Sequence, residues 1–315
     1  MKPRFFTNKR QRHIVDPQHK KKLPEYTKKE PVGRFSYLKY FCMFIGPSRC
    51  GHTLIANILN AHPNVVISNE LNPILLFLRG KDRPHIFEKI IQSMIIFKNK
   101  KSRWTSYSYD IDGLYQGTWE NMSVIGDKLC GPTTTYLGYS KDNVIDKANQ
   151  IREKSKSHKA LITEKRIQEL SGGILSDCEL PIFESFKKFI GLEIKLIHII
   201  RNPIYNITSL SLLNGHSIEQ QIDEYFERFD TAIRIAQNRE CLHLFLDEII
   251  NNPISSIMQL CRYLRIDCDE QFLIKSSSII FDKEHKNKDM RKWTDELIEK
   301  VNNEMYNRPL LKRYL

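Results

Sequence analysis

The residues best suited to chemistry stand together at positions 46–53, which read Gly46-Pro47-Ser48-Arg49-Cys50-Gly51-His52-Thr53. Glycines let the backbone turn tightly enough for successive N–H groups to face one oxyanion, and a helix starting there adds partial positive charge. Arg49 supplies a full charge in a fork that matches phosphate or sulfate oxygens. Thr53 supplies a hydroxyl in the first helical turn. The spacing also fits the nucleoside-triphosphate loop G-x-x-x-x-G-K-[ST], except that His52 stands where that loop has the lysine for the β- and γ-phosphates. The plainer alternative is a glycine turn with a solvent-facing arginine. A second segment, Arg201-Asn202-Pro203, has Ser209 eight residues after Arg201. Pro203 suits the first turn of a helix. Arg201 then ends a strand, Ser209 rides on the next helix, and both could reach one phosphate.

Such groups need elements to hold them. Apolar strand-like runs alternate with helix-like stretches, which predicts an α/β fold with a mostly parallel central sheet flanked by helices. Strands are expected at Tyr40–Ile45, Val65–Ser68, Ser123–Gly126, Ala160–Thr163, Ile194–Ile200 and Cys241–Leu246. The run Ile194–Ile200 is almost wholly apolar, as a buried parallel strand is. Helices are expected from about 51 to 61, where Leu54, Ile55, Ile58 and Leu59 fall at helical spacing, and over 74–99, 217–237, 251–264, 269–275 and 294–306. Ionisable groups follow strand after strand: the loop with Arg49, then Glu70, Lys128, Arg201 and the pair Asp247-Glu248. In an open α/β sheet ligands sit outside the carboxyl ends of the strands. Any one of these residues could simply mark where a strand meets solvent. Together they point to a site.

Bulk properties exclude several classes. The net charge of +12 is concentrated: residues 1–40 carry a net +9, and the remaining 275 only +3. Residues 1–38 therefore read as a basic, flexible arm, residues 39–315 as the folded domain, and nucleic acid is not an expected partner. Seven cysteines without a C-x-x-C pair, and ten scattered histidines, give no disulfide framework and no metal site. No apolar run reaches the roughly 20 residues of a membrane helix. The basic start has no apolar stretch behind it, so a soluble intracellular protein is the default expectation.

The two segments together resemble the PAPS-dependent sulfotransferase family, where PAPS is 3'-phosphoadenosine-5'-phosphosulfate. The loop G-x-x-R-x-G-x-T-L-I is similar to the family's 5'-phosphosulfate loop, G-x-P-R-S-G-T-T-L-L, and R-N-P-x-x-x-x-x-S to its 3'-phosphate motif. L-N-A-H-P-N-V-V-I-S-N-E at 59–70, V-I-G-D-K at 124–128, L-D-E-I-I-N-N-P at 246–253 and K-N-K-D-M-R-K-W ending at Trp293 extend the likeness over about residues 40–315. The motif spacing is nearest the tyrosylprotein and carbohydrate branch, many of whose members are Golgi enzymes. The resemblance implies a P-loop-like sulfotransferase architecture and PAPS as donor, without a metal. It implies that Arg49, Cys50, Gly51, His52 and Thr53 hold the phosphosulfate, that Arg201 and Ser209 hold the 3'-phosphate, and that Lys288 and Arg291 complete the cofactor site. Glu70, 21 residues after Arg49, is similar to the family's general base. Lys128 is similar to the lysine that stabilises the leaving oxygen. His62 could be the base instead, but before Pro63 at a helix end it suits capping or packing better. The sequence departs from the family at Ser48, Cys50 and His52, where Pro, Ser and Thr are usual, and mildly at Asn202.

The expected acceptor is a carbohydrate, a peptide or a small alcohol, or an amine-bearing relative of these. The mixed cationic and aromatic stretch 79–122, from Arg79 to Trp119, is the expected source of its specificity. Oligomeric state is open. Two rival readings remain: a P-loop phosphotransferase, for which the acidic strand end at Asp247-Glu248 would hold magnesium, and an inactive nucleotide-binding protein.

Overall fold

The computed structural model describes residues 35–99, 109–140, 179–281, 289 and 291–315. The basic arm up to residue 34, the expected strand Ala160–Thr163 and Lys288 lie outside the described residues. Five strands form one sheet: β1 (Tyr40–Ile45), β2 (Val65–Ser68), β3 (Val124–Asp127), β4 (Glu193–Ile200) and β5 (Cys241–Phe245). All pairings are parallel, in the order β2-β3-β1-β4-β5. The central strand β1, YFCMFI, is buried at every residue, as a strand covered on both faces must be.

The helices are α1 (His52–Asn60), α2 (Pro73–Leu78), α3 (Arg83–Asn99), α4 (Cys130–Leu137), α5 (Pro181–Ile190), α6 (Pro203–Asn214), α7 (Ile218–Ala236), α8 (Leu246–Asn251), α9 (Pro253–Leu264), α10 (Glu270–Ser277) and α11 (Asp295–Tyr306). A short 3-10 turn, Pro309–Tyr314, closes the chain. One core layer joins α1 and α9 to the sheet through Ile55, Ile58, Ile257 and Leu260. Another gathers Ile207, Ile222, Phe226, Phe229, Val301 and Met305 from α6, α7 and α11.

One expected helix is broken in the structure and another starts later than expected. The stretch 74–99 divides at Gly80, whose left-handed φ of 73° ends α2. The Gly80 and Lys81 N–H groups donate back to Phe77 O and Leu76 O, the paired closure of a helix that a glycine permits. The helix expected over 251–264 is present and starts two residues later, at Pro253, because a proline lacks the N–H a helix interior needs. Leu246, expected to end a strand, begins α8. Helices α4 and α5 were not anticipated from sequence.

The strand order locates a crevice. The connection from β1 leaves toward β2, and that from β4 leaves toward β5, in opposite directions across the sheet. Ligands of such sheets bind at the carboxyl ends of the strands flanking this divergence. Those ends carry the 46–53 loop and Arg201.

Candidate active site

β1 runs into Gly46, whose φ is 102°. A side chain there would be forbidden twice: by that conformation, and because a Cβ would lie 2.5 Å from the His198 ring on β4. The Gly46 N–H donates to Thr134 Oγ1 at 2.7 Å, anchoring the start of the loop to α4. Arg49 and Gly51 also take left-handed φ values, 70° and 94°, and α1 begins immediately after. No side chain caps α1, so its first N–H groups remain directed at the loop, where an anion would complete them.

The two sequence segments meet. Arg49 Nε donates to Ser209 Oγ at 3.1 Å, and Arg201 donates to Arg49 O at 3.4 Å. Arg201 and Ser209 are both nearly buried, whereas Arg49 is exposed. The segments are separated by about 150 residues in sequence, so the contact is a product of the fold. Asn202 accepts from the Ile204 N–H and so caps α6, with Pro203 in its first turn. This cap aims α6 so that Ser209 faces the loop.

Glu70 and Lys128 come together as well. Lys128 Nζ donates to Glu70 Oε1 at 2.7 Å and to Thr53 Oγ1 at 2.9 Å, linking the expected base to the first turn of α1. The lysine is buried and the glutamate is 56% exposed, open to an incoming acceptor. Glu70 is held at a left-handed φ of 61°. A buried carboxylate, Asp127, explains how. It accepts from Ser68 Oγ at 2.6 Å, from the N–H of Leu71 at 2.9 Å and Asn72 at 3.3 Å, and from the Leu129 N–H at 3.1 Å. One side chain thus fastens the turn that carries Glu70 to the strand end that carries Lys128. Burial pushes the Asp127 carboxyl up, and its four donors pull it partly back.

Other expected site residues lie differently. The Cys50 side chain is buried beneath the loop, where Asn206 Nδ2 approaches its sulfur at 3.0 Å. The His52 ring is also buried, edge-on to Phe44, and burial pushes its pKa down to about 3. The family resemblance implied His52 among the phosphosulfate ligands; its ring instead faces the core, and only its backbone N–H is left to an anion. His198 lies under Gly46, and its Nδ1 is 3.2 Å from His243 Nδ1. The loop therefore rests on neutral imidazoles. His62 is occupied as a packing residue: its Nε2 meets Asp267 O at 2.6 Å, and its Nδ1 accepts from the Asn64 N–H. Arg291 donates to Ser211 O at 2.9 Å, and Trp293 Nε1 to Thr208 Oγ1 at 3.0 Å, so the C-terminal segment docks on the helix that carries Ser209.

Two contributors escaped the sequence reading. Asn206 is fully buried, and its Nδ2 donates to Ser48 O at 2.9 Å, holding the loop from below. Thr134 does the same from α4. An asparagine one turn before Ser209 on α6 was the available signal for the first. Asp247 and Glu248 are taken by the C-terminus: Arg313 binds both, and the Tyr314 hydroxyl donates to Asp247 Oδ1 at 2.7 Å. Among the described residues no cluster of ligands suited to a metal ion is present.

In the stretch expected to govern the acceptor, the described residues engage their own surroundings. Lys98 pairs with Asp110, the Tyr115 hydroxyl with Glu120, and Arg83 stacks on Phe87. No helix is long and apolar enough to cross a membrane among the described residues.

No family model matches the chain, and no curated protein matches it. Solved structures similar to it are sulfotransferases. The sulfotransferase domain of the Synechococcus PCC 7002 olefin synthase is 14% identical, covering 84% of this chain and 87% of its own, with a TM-score of 0.40. Mouse sulfotransferase SULT7A1, solved in complex with PAP, is 10% identical over 89% and 90%, with a TM-score of 0.42. Sulfotransferase STF9 from Mycobacterium avium is 11% identical over 86% and 76%, with a TM-score of 0.43. Likenesses this distant carry no weight for activity, and the fold stands on its own strand order.

Proposed function

We propose that this chain transfers a sulfuryl group from PAPS to a hydroxyl, or an amine, of an acceptor. The observation that carries the reading is the meeting of Arg49, Arg201 and Ser209 at one loop, beside the Lys128–Glu70 pair. In the proposed step Glu70 takes the acceptor's proton as its oxygen attacks sulfur. The bond from sulfur to the bridging phosphate oxygen breaks, and 3',5'-adenosine bisphosphate (PAP) leaves with the electron pair. Lys128 offsets the charge on that oxygen, and the N–H groups of the loop and Arg49 offset the charge spread over the transferring group. Because the Cys50 and His52 side chains are buried, their departure from the usual Ser and Thr leaves the backbone donors in place, which supports an active site over an inactive one.

The phosphotransferase reading loses support. Its magnesium-binding candidates, Asp247 and Glu248, are paired with Arg313, and a triphosphate has no need of Arg201 and Ser209. The test is a calorimetric titration with PAP. Micromolar or tighter binding, weakened at least tenfold by Arg201→Ala, is the expected result. Binding of ATP with magnesium and indifference to PAP would replace this reading with the phosphotransferase.

A further inference from the structure

We infer, building on the sulfuryl-transfer reading, that the acceptor is a small ring-bearing alcohol with an acidic group remote from its hydroxyl, seated in the cleft between α4 and α6. That cleft has a volume of about 400 Å³, near the small end of the roughly 300–1,000 Å³ range of small-molecule sites. Ser48, a residue of the loop itself, is part of its lining. Ser48 Oγ lies 3.7 Å from Cys130 Sγ, and Cys130 opens α4 two residues after Lys128. The cleft therefore touches the donor loop at Ser48, beside Cys130, whose thiol lies within electrostatic reach of both Lys128 and Glu70.

Its walls are mostly apolar. Tyr136 and Tyr139 stand on one side with their rings edge to face, 6.0 Å between centroids, and Leu210 and Leu213 stand on the other. Leu213 is 64% exposed at the cleft mouth. Flat aromatic and aliphatic walls recognise a ring by area and edge contacts. Thr135, Asn214 and the two tyrosine hydroxyls add polar contacts, and Arg228 on α7 is the one charged residue of the lining. Its contact with Glu224 engages one nitrogen at 3.5 Å, and a guanidinium has further donors with which to take a carboxylate as a fork. A hydroxyl directed to Ser48 and an acid directed to Arg228 describe the acceptor's chemistry. A smaller groove of about 240 Å³, lined by Asn69, Leu71 and Gln92 among others, also adjoins Glu70, but it includes no residue of the donor loop.

The test uses the full chain saturated with PAP and titrated with 6-hydroxy-2-naphthoate, with 2-naphthol for comparison. The naphthoate is expected to bind, and Arg228→Ala and Leu213→Arg are expected to weaken it tenfold or more. PAP affinity should stay the same in both variants. 2-Naphthol should bind more weakly and ignore Arg228→Ala. Both substituted residues are partly or largely exposed, so the variants should fold, and their thermal transitions verify it. PAP binding without naphthoate binding overturns this inference alone. So does naphthoate binding that is lost in Gln92→Arg but kept in the two cleft variants, because it assigns the acceptor to the other groove. Failure to bind PAP at all sinks the donor reading and the acceptor inference with it.

Discussion

Asn206 is the residue on which the donor loop leans, and Asn206→Ala tests that directly. The side chain is fully buried and donates to Ser48 O at 2.9 Å and toward Cys50 Sγ at 3.0 Å. Truncation leaves the Ser48 carbonyl without this donor, a loss of about 1–3 kcal/mol for a buried polar group. Removing the buried Asn206 Oδ1, which has no partner of its own, returns part of that, so the lower half of the range is expected. For a folded unit of this size about 1.5 kcal/mol lowers Tm by roughly 2–3 °C. The second effect is on function. The loop's N–H groups converge on an anion only while Ser48 is held, so PAP affinity should fall about tenfold, the equivalent of ~1.4 kcal/mol. Scanning calorimetry reads the first number and isothermal titration the second. If Tm falls while PAP affinity holds, Asn206 supports the fold and not the loop's geometry. An unchanged Tm would refute the reasoning from burial altogether.

Glu70→Gln keeps the shape of the side chain and the contact with Lys128 but removes the base. Turnover, measured with 6-hydroxy-2-naphthoate as acceptor, should drop by roughly 10²-fold or more while PAP affinity stays level. Gly46→Ala puts a Cβ into the His198 ring at a φ of 102°, and a destabilisation above about 2 kcal/mol is expected in urea titrations. Acid should unfold the protein early. Burial depresses the pKa values of His52, His198 and His243 below the ordinary 6.5, that of His52 to about 3. The unfolded chain therefore binds protons that the folded one does not. The contribution is fully present above pH 6.5 and is lost as pH falls toward the folded values, at about 1.4 kcal/mol per pH unit for each fully neutral histidine. In His52→Phe the pH dependence of unfolding between pH 4 and 6 should flatten by about one proton; an unaltered slope would mean that His52 titrates normally.

The sequence by itself carried the local chemistry. Glycine and proline punctuation marked the loop at Gly46–Thr53 and the start of α6 at Pro203, because those residues act on their own backbone. Apolar runs marked the five described strands to within a residue or so, because burial on both faces leaves little room for polar side chains. The break at Gly80 was missed, because the apolar pattern of 74–99 ran across it. What sequence could not carry was adjacency. That Arg49 would touch Ser209, or that Asp127 would fasten the Glu70 turn to Lys128, depends on parallel strands bringing distant ends to one edge of the sheet. Side-chain direction was equally out of reach. Cys50 and His52 occupy ligand-like positions in the loop motif, yet the twist of the backbone through Arg49 and Gly51 turns both side chains toward the core, and a one-dimensional spacing contains no such sign. Tertiary packing made the same decision for Asp247 and Glu248, which a strand-end pattern offers to a metal and Arg313 takes instead, because a full guanidinium charge from the chain's own terminus reaches them first.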